Sequence, residues 1–261
     1  MDLRSIIDWG APWYSLVAEH GRRVPSVHEL SYTLNAFGSP ARTALGKPVR
    51  FVPQDCAPRG RAYESHVAAS GEVPTRSNLH DLFNALVWFS CPRTKVMLNT
   101  RHALQIARDG VRGRRGPVRD AATLLDENGL LLVTRSRSIV DALHRRDWRH
   151  ALVEQRSAWA HEVRPIVFGH ALMEKMVSPW KSVTAHVWHL DLDPDASLDA
   201  IDAAAAGAIA ANNFSPRRFL PLPVMGIPGW SAANACPTYY DDPMVFRPAP
   251  STAPIPISAL G

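Results

Sequence analysis

The region between positions 77 and 109 has the clearest pattern of apolar and polar positions in the chain. Up to position 90 the apolar residues recur every three or four positions, which is the spacing of one buried helix face. The members of that predicted face are Leu79, Leu82, Phe83, Leu86 and Val87. Ser77 or Asn78 suits the cap of this helix, and Pro92 suits the first turn of a second helix that ends near Gly110. Two helices joined by so short a link are usually antiparallel neighbours.

The rest of the chain mixes helix and strand signals. The clearest are residues 163–168 and 183–192 for strands, and residues 136–145 and 196–211 for helices. Asn128-Gly129 lies between two aliphatic runs, and this dipeptide favours the two-residue turn of a β-hairpin. The expected hairpin pairs residues 123–127 with residues 130–134. These patterns predict a single, mostly helical α+β domain with a small sheet that includes the hairpin.

Proline changes the character of the chain after Ser215, because ten of the 22 prolines follow it. Proline removes a backbone donor and clashes inside a helix, so this part is not regular helix. It also carries too many aromatic and aliphatic residues for free disorder. We therefore expect a main α+β domain over residues 1–215 and an extended arm over residues 216–261. The arm is expected to pack on the main domain and to be loose after about residue 248.

Length and composition are those of an ordinary globular protein, with 261 residues, 46% of them hydrophobic and 20% charged. No apolar run reaches about 18 residues, so the sequence predicts no membrane span. The N-terminus lacks the basic-then-apolar order of a secretory signal. The three cysteines are far apart and form no CxxC pair. The expected location is therefore the cytoplasm.

Positive charge is concentrated between residues 93 and 149, where 13 Lys and Arg face 6 Asp and Glu. Guanidinium groups match the geometry of phosphate, so this segment predicts an anion-binding surface for nucleic acid or a phosphorylated ligand. The candidate anion-binding residues are Arg93, Lys95, Arg114, Arg115 and Arg119. The alternative is a solvated loop in an arginine-rich proteome, because arginine outnumbers lysine 25 to 4.

Histidines and carboxylates on the predicted helices are the candidate catalytic groups. His80, Asp81 and Asn84 share the helix face opposite the apolar one, and histidine is the usual proton carrier near neutral pH. His170 and Glu174 begin a helix directly after a strand, a junction where α/β proteins place ligand groups. They are four residues apart, so they are expected to share a face and to suit a metal ion together with His80 or Asp81. In the alternative interpretation Asp81 stabilises the helix start, and His80 and Asn84 hydrogen-bond to neighbouring loops. The spacing of His170 and Glu174 is also common on helices by chance. The sequence does not indicate which metal ion would bind or whether the protein uses any other cofactor.

A second set of charged residues surrounds the predicted hairpin. Asp126 and Glu127 are paired carboxylates, which can do acid/base work or bind a hard metal ion. Acids beside a turn are also ordinary, and that interpretation is the stronger one. Arg119-Asp120 is equally consistent with a functional pair and with a buried structural salt bridge. We expect Asp120 to reach the cleft that the helices line.

Five segments follow one another in an order that resembles a known family. They are PTRSNLHDLFNALVWFSCPRTKVMLN, RDAATLLDENGLLLV, FGHALMEK, LPLPVMGIPGW and YYDDPMVFRP. The set resembles a proteobacterial family catalogued as domain of unknown function 3025, over roughly Tyr63 to Pro248. The resemblance implies a soluble bacterial protein. It implies no activity and no catalytic residue, because none is assigned to the family.

Three functions are consistent with these observations. The first is an enzyme that uses general acid/base chemistry of the hydrolytic type in a cleft lined by His, Asp, Asn and Arg. The second is a protein that binds an anionic partner, either nucleic acid or a small phosphorylated ligand, through the basic segment. The third is a structural protein whose polar helix face is an interface. The sequence leaves open the substrate, the oligomeric state and whether the protein is an enzyme.

Overall fold

The computed structural model of the protein describes residues 5–56, 58, 60, 62–110, 116–211 and 214–249. Its α-helices are α1 (Ala18–Gly21), α2 (Leu30–Asn35), α3 (Tyr63–Ser70), α4 (Leu79–Ser90), α5 (Pro92–Asp109), α6 (Pro117–Asn128), α7 (Arg137–Arg145), α8 (His170–Lys175) and α9 (Leu198–Ala210). Its strands are β1 (Arg50–Pro53), β2 (Glu72–Thr75), β3 (Gly129–Thr134), β4 (Val163–Val167), β5 (Thr184–Leu190) and β6 (Leu220–Pro223). A π-helical turn covers His150–Glu154, and short 3-10 turns lie at Pro12–Tyr14, Gln54–Cys56, Ala158–Ala160, Pro216–Arg218, Val224–Gly226, Ala232–Ala235 and Pro237–Asp241.

The larger sheet has four strands in the order β4-β3-β5-β6. Strand β3 is antiparallel to β4 and parallel to β5, and β6 pairs antiparallel with β5 at the other edge. All residues of β3 are buried, and its aliphatic run over residues 130–133 is typical of a strand that is covered on both faces. A separate two-stranded sheet pairs β1 with β2 in parallel.

Helices α4 and α5 carry several of the residues that the sequence predicted for the site. Helix α4 begins where the Asn78 side chain accepts a hydrogen bond from the Asp81 N–H at 2.8 Å. It ends before Pro92, which occupies the first turn of α5 as the sequence predicted. Helix α5 packs against α3, α6 and α9, and helix α8 packs against α4 and α6. Segments that are distant in the sequence therefore meet around one place.

The short helix α8 is held close to the end of α6. A Cβ atom at Gly169 would overlap the backbone at residues 127–129, so only glycine permits this approach. On the other side, the Tyr14 hydroxyl donates a hydrogen bond to the Met173 carbonyl at 3.1 Å. Both contacts place His170, the first residue of α8, against the last turn of α6.

The proline-rich C-terminal arm packs on the main body as far as it is described. Strand β6 forms one edge of the four-stranded sheet, and the Trp230, Tyr240 and Phe246 side chains are buried. The buried Asn234 amide donates to two carbonyl oxygens within the arm, at 2.9 and 2.7 Å. Arg156 of the main body donates to the carbonyl and side-chain oxygens of Asn234. The division into a main domain and an arm stays a prediction, and the expected loose tail lies mostly outside the described residues.

The predicted fold class is confirmed, since helices dominate and the sheets are small. The predicted hairpin is wrong. Residues 123–127 belong to helix α6, and Gly129 starts β3, whose antiparallel neighbour is β4. The Asn-Gly dipeptide ends a helix here because Gly129 meets the last turn of α6 too closely for a side chain. Within the described residues, no helix is long and apolar enough to cross a membrane.

Candidate functional site

A polar cleft of roughly 430 Å³ lies where α3, α4, α6 and α8 meet. It is an open depression with little apolar surface, unlike the apolar pockets that suit drug-like ligands. The residues that line it are Gln54, Tyr63, Glu64, Pro74, Arg76, His80, Asp81, Asn84, Asp126, Glu127 and His170. The cleft therefore combines several of the predicted site residues with others that the sequence patterns did not single out.

Two histidines face each other across this cleft. The Nε2 atom of His80 lies 3.1 Å from the Nε2 atom of His170. The other nitrogen of His80, Nδ1, lies 3.0 Å from a carboxylate oxygen of Glu174. These three residues come from α4 and α8, whose first turns are separated by 90 residues of sequence but pack side by side.

Helix α6 brings two carboxylates to the same histidine. An oxygen of Glu127 lies 3.6 Å from His170 Nε2, and an oxygen of Asp126 lies 3.9 Å from His170 Nδ1. His170 is only 5% exposed, and its Nδ1 atom has no hydrogen-bond partner within 3.5 Å among the described residues. The ligand atoms of His80, Glu127 and His170 all lie within 4.8 Å of one another, a spacing that suits one metal ion.

A buried lysine supports the Asp126 side of the cluster. The Lys95 ammonium group donates to Asp126 Oδ1 at 2.5 Å and to Asn84 Oδ1 at 2.8 Å. It also lies over the Trp88 ring, 5.4 Å from its centroid. Asn84 in turn reaches the Tyr63 hydroxyl at 3.4 Å. Lys95 is thus an internal partner of the cleft wall, with its charge matched by Asp126.

The electrostatics of the cluster follow from burial and from this lysine. Burial opposes ionisation of the Asp126 carboxyl, but the Lys95 ammonium group and His170 hold its pKa below the ordinary value. Burial raises the pKa of Glu127, and the neighbouring Asp126 charge adds to that effect. Burial also lowers the pKa of His170 to about 4. At neutral pH the His170 ring is therefore uncharged, with one nitrogen lone pair.

Asp81 has a structural partner, although it borders the cleft. Its carboxylate accepts hydrogen bonds from the Arg76 backbone N–H at 2.6 Å and from the Arg76 guanidinium at 3.0 Å. It therefore ties the segment before α4 to the first turn of that helix. The side chain turns away from His80, in agreement with the wide angle between adjacent helix positions.

Other predicted residues lie elsewhere. Asp120 and Arg119 occupy the first turn of α6, about 9 Å along its axis from Asp126, and neither lines the cleft. The expectation that Asp120 joins His80 and His170 is therefore wrong. Arg93 contacts Asp199 of α9 at 3.0 Å and faces that helix. Arg114 and Arg115 lie outside the described residues.

Asp126 and Glu127 were weak candidates in the sequence, because the predicted hairpin placed them beside a turn, where acids are ordinary. A helix signal was present in the same segment. Pro117 suits a first helical position, and Ala121, Ala122 and Leu125 have the three-to-four spacing of a buried helix face. Read as a helix, the segment carries both acids in its last turn. Arg76, Tyr63, Glu64 and Gln54 had no distinguishing signal, since single polar residues in loops and short helices are common.

Comparison with known proteins gives one match. The model of a family described as "Protein of unknown function (DUF3025)" matches residues 49–250, which is well over half of the chain and includes every residue of the histidine and carboxylate cluster. No curated protein and no solved structure matches the chain.

Proposed function

The chain belongs to the DUF3025 family, and from its cleft we propose that it is an enzyme of the hydrolytic type. The observation that carries the proposal is the convergence of His80 Nε2, His170 Nε2 and a Glu127 oxygen on one point of the cleft wall. Such a set of basic atoms suits the activation of a water molecule. Among the described residues, no other group of three histidine, cysteine, aspartate or glutamate side chains has a spacing that suits a metal ion.

The carboxylate behind His80 supports a role in proton transfer. Glu174 lies at Nδ1 and stabilises the imidazolium form that appears when Nε2 takes a proton. In the proposed step the water oxygen bonds to the electrophilic centre of the substrate while its proton passes to His80. The same proton then goes to the leaving group as the bond to that group breaks, so the ring returns to its starting state.

The charge of the cleft supports this function over anion binding at the same place. Lys95 is paired with Asp126 and Arg76 with Asp81, so these two cations already have carboxylate partners. Glu64, Glu127 and Glu174 add further acids to the cleft or its edge. Binding of nucleic acid through the basic segment would use another surface and stays a prediction. The cytoplasmic location also stays a prediction.

The surface pair His150 and Glu154 supplies a matched control for this proposal. His150 Nδ1 lies 2.9 Å from Glu154, which repeats the His80–Glu174 contact outside the cleft. The full-length chain and its His80→Ala and His150→Ala variants should be assayed against chromogenic carboxyl esters, phosphate esters and amides. We expect His80→Ala to lower hydrolysis by at least about 100-fold, the usual scale of an acid/base contribution, and His150→Ala to leave it unchanged. Equal rates for all three proteins would contradict the proposal.

A further inference from the structure

The two histidines meet through their Nε2 atoms, and each has a carboxylate near its Nδ1 atom. A neutral imidazole carries one N–H, and the acceptor nearest to either nitrogen decides where that hydrogen lies. The Nδ1 atom of His80 faces the Glu174 carboxylate at 3.0 Å, and the Nδ1 atom of His170 faces the Asp126 carboxylate at 3.9 Å. When both rings carry their hydrogen on Nδ1, each Nε2 has a lone pair that can bind a metal ion.

The two Nε2 atoms lie 3.1 Å apart, which is a hydrogen-bond distance when one of them carries the hydrogen. A third basic atom, the Glu127 oxygen 3.6 Å from His170 Nε2, approaches the same nitrogen. A metal ion is the kind of cation that three such atoms can share.

The distances agree with zinc coordination. Zinc–nitrogen bonds of about 2.0–2.1 Å at a tetrahedral angle place two nitrogen ligands about 3.3 Å apart. The observed 3.1 Å between the histidines and 3.6 Å from His170 to Glu127 are close to this value. Two histidines and one glutamate are also a ligand set of catalytic zinc sites, in which a water molecule takes the fourth position.

The residues behind the ligands have the arrangement that metal-binding histidines require. A histidine ligand usually directs its second ring nitrogen at a carboxylate or a carbonyl, which fixes the ring and raises its basicity. Glu174 does this for His80 at 3.0 Å, and the Asp126 carboxylate lies near His170 Nδ1 at 3.9 Å, which is beyond hydrogen-bond distance. Lys95 balances the Asp126 charge, so that Glu127 is the carboxylate left for the ion.

We propose that His80, His170 and Glu127 bind one Zn²⁺ ion, with the fourth coordination position open to the cleft. The inference rests on the proposed function and keeps its reaction class, but it replaces the base. The ion would lower the pKa of the attacking water, and His80 Nε2, as a ligand of the ion, would not accept the proton. That water loses its proton to solvent, and solvent protonates the leaving group, so the step remains balanced.

The test is a zinc titration of the full-length chain after removal of metals with a chelator. Equilibrium dialysis followed by elemental analysis should give one Zn²⁺ per chain. We expect His170→Ala and Glu127→Gln to lose this binding, and His150→Ala to retain it. Glu174→Gln should lower zinc affinity about 10- to 100-fold, because it only orients His80. Glu127 is a partly exposed side chain, so Glu127→Gln serves as the informative variant if His170→Ala does not fold.

The outcomes separate this inference from the proposed function. One zinc per chain, with no hydrolysis by the zinc-loaded protein, would support the metal site and contradict the enzyme. Hydrolysis that survives the chelator in a zinc-free chain would support the enzyme and overturn the metal site. Zinc bound equally by the parent chain and Glu127→Gln, or binding of Fe²⁺ with none of Zn²⁺, would also overturn the zinc assignment. Co²⁺ substitution should give the absorption of a tetrahedral site in the parent chain only.

Discussion

Two buried polar clusters of this protein differ in whether their hydrogen-bonding capacity is satisfied. At the start of α5, the Asp202 carboxylate of α9 accepts from the N–H groups of Arg93 and Thr94, at 2.9 and 2.8 Å, and from the Thr94 hydroxyl at 2.6 Å. In the cleft, His170 is about as deeply buried as Asp202, yet its Nε2 meets only another histidine nitrogen within hydrogen-bond distance and its Nδ1 has no hydrogen-bond partner among the described residues.

The difference separates a structural polar cluster from a candidate ligand site. Buried polar groups normally find partners, since an unpaired one costs about 1–3 kcal/mol. Asp202 meets the free N–H groups at a helix start, where an acid also favours the helix dipole. The histidine cluster holds several acceptors and few donors. A cation bound in the cleft would interact favourably with these acceptors. The contrast between the Asp202 cluster and the histidine cluster can be tested by substitution.

The largest loss of stability is expected when the buried ion pair between Lys95 and Asp126 is broken. Lys95→Met keeps most of the side-chain volume but leaves the Asp126 carboxylate buried beside no cation. Removal of one partner of a buried ion pair costs about 3–5 kcal/mol, and urea denaturation should show this loss. The double variant Lys95→Met with Asp126→Leu should recover much of the stability. A single variant as stable as the parent chain would mean that Lys95 is not part of the support of the cleft.

The next largest effect is expected at the α5 cap. Asp202→Ala removes the acceptor for two backbone N–H groups and the Thr94 hydroxyl, so it should lower the free energy of unfolding by about 2–3 kcal/mol. Thermal denaturation followed by circular dichroism measures the change. Asp199→Ala on the same helix is the control, because Asp199 is exposed and should cost little. Similar losses of stability for Asp202→Ala and Asp199→Ala would mean that the hydrogen bonds of Asp202 contribute no more than an exposed carboxylate does.

A smaller change in stability is expected when the unsatisfied cluster loses a member. His80→Ala in the metal-free chain should alter the free energy of unfolding by less than about 1 kcal/mol, because His80 is partly exposed and water can replace its contact with the exposed Glu174 carboxylate. Zinc at a hundred times its dissociation constant should stabilise the parent chain by about 2.7 kcal/mol and leave His80→Ala unchanged. A metal-free loss well above 1 kcal/mol would instead make His80 a structural histidine.

The smallest effect is expected at the exposed edge of the satisfied cluster. Arg93→Ala removes the contact with Asp199, in which both side chains are more than half exposed, so it should cost at most about 1 kcal/mol. Its backbone N–H still reaches Asp202. If Arg93 belongs to an anion-binding surface, the variant should also weaken retention on a phosphate-bearing resin at low salt. Unchanged retention would limit the basic surface to other residues.

The sequence predicted the helices α4 and α5 closely because their determinants are local. The apolar spacing of α4, the Asn78 cap and the first-turn position of Pro92 act within a few residues of each other. The strand and helix around Gly169-His170 were also predicted for this reason. The Asn128-Gly129 hairpin failed since the same dipeptide suits a helix end, and only the packing of Gly129 and Gly169 decides between the two.

His80 and His170 were recognised as candidates from their residue types and their places in predicted helices. Local sequence patterns could not show that the two histidines meet Glu127. They also could not show that Asp120 lies almost two turns of α6 away from this cluster. Helical periodicity is carried by neighbours in the chain, so the sequence by itself determined which segments are helices and which faces are polar. The meeting of α4, α6 and α8 depends on how the sheet and the N-terminal Tyr14 hold α8 in place. Only the tertiary structure therefore decided which polar side chains share the cleft, because their distances result from packing between segments far apart in sequence.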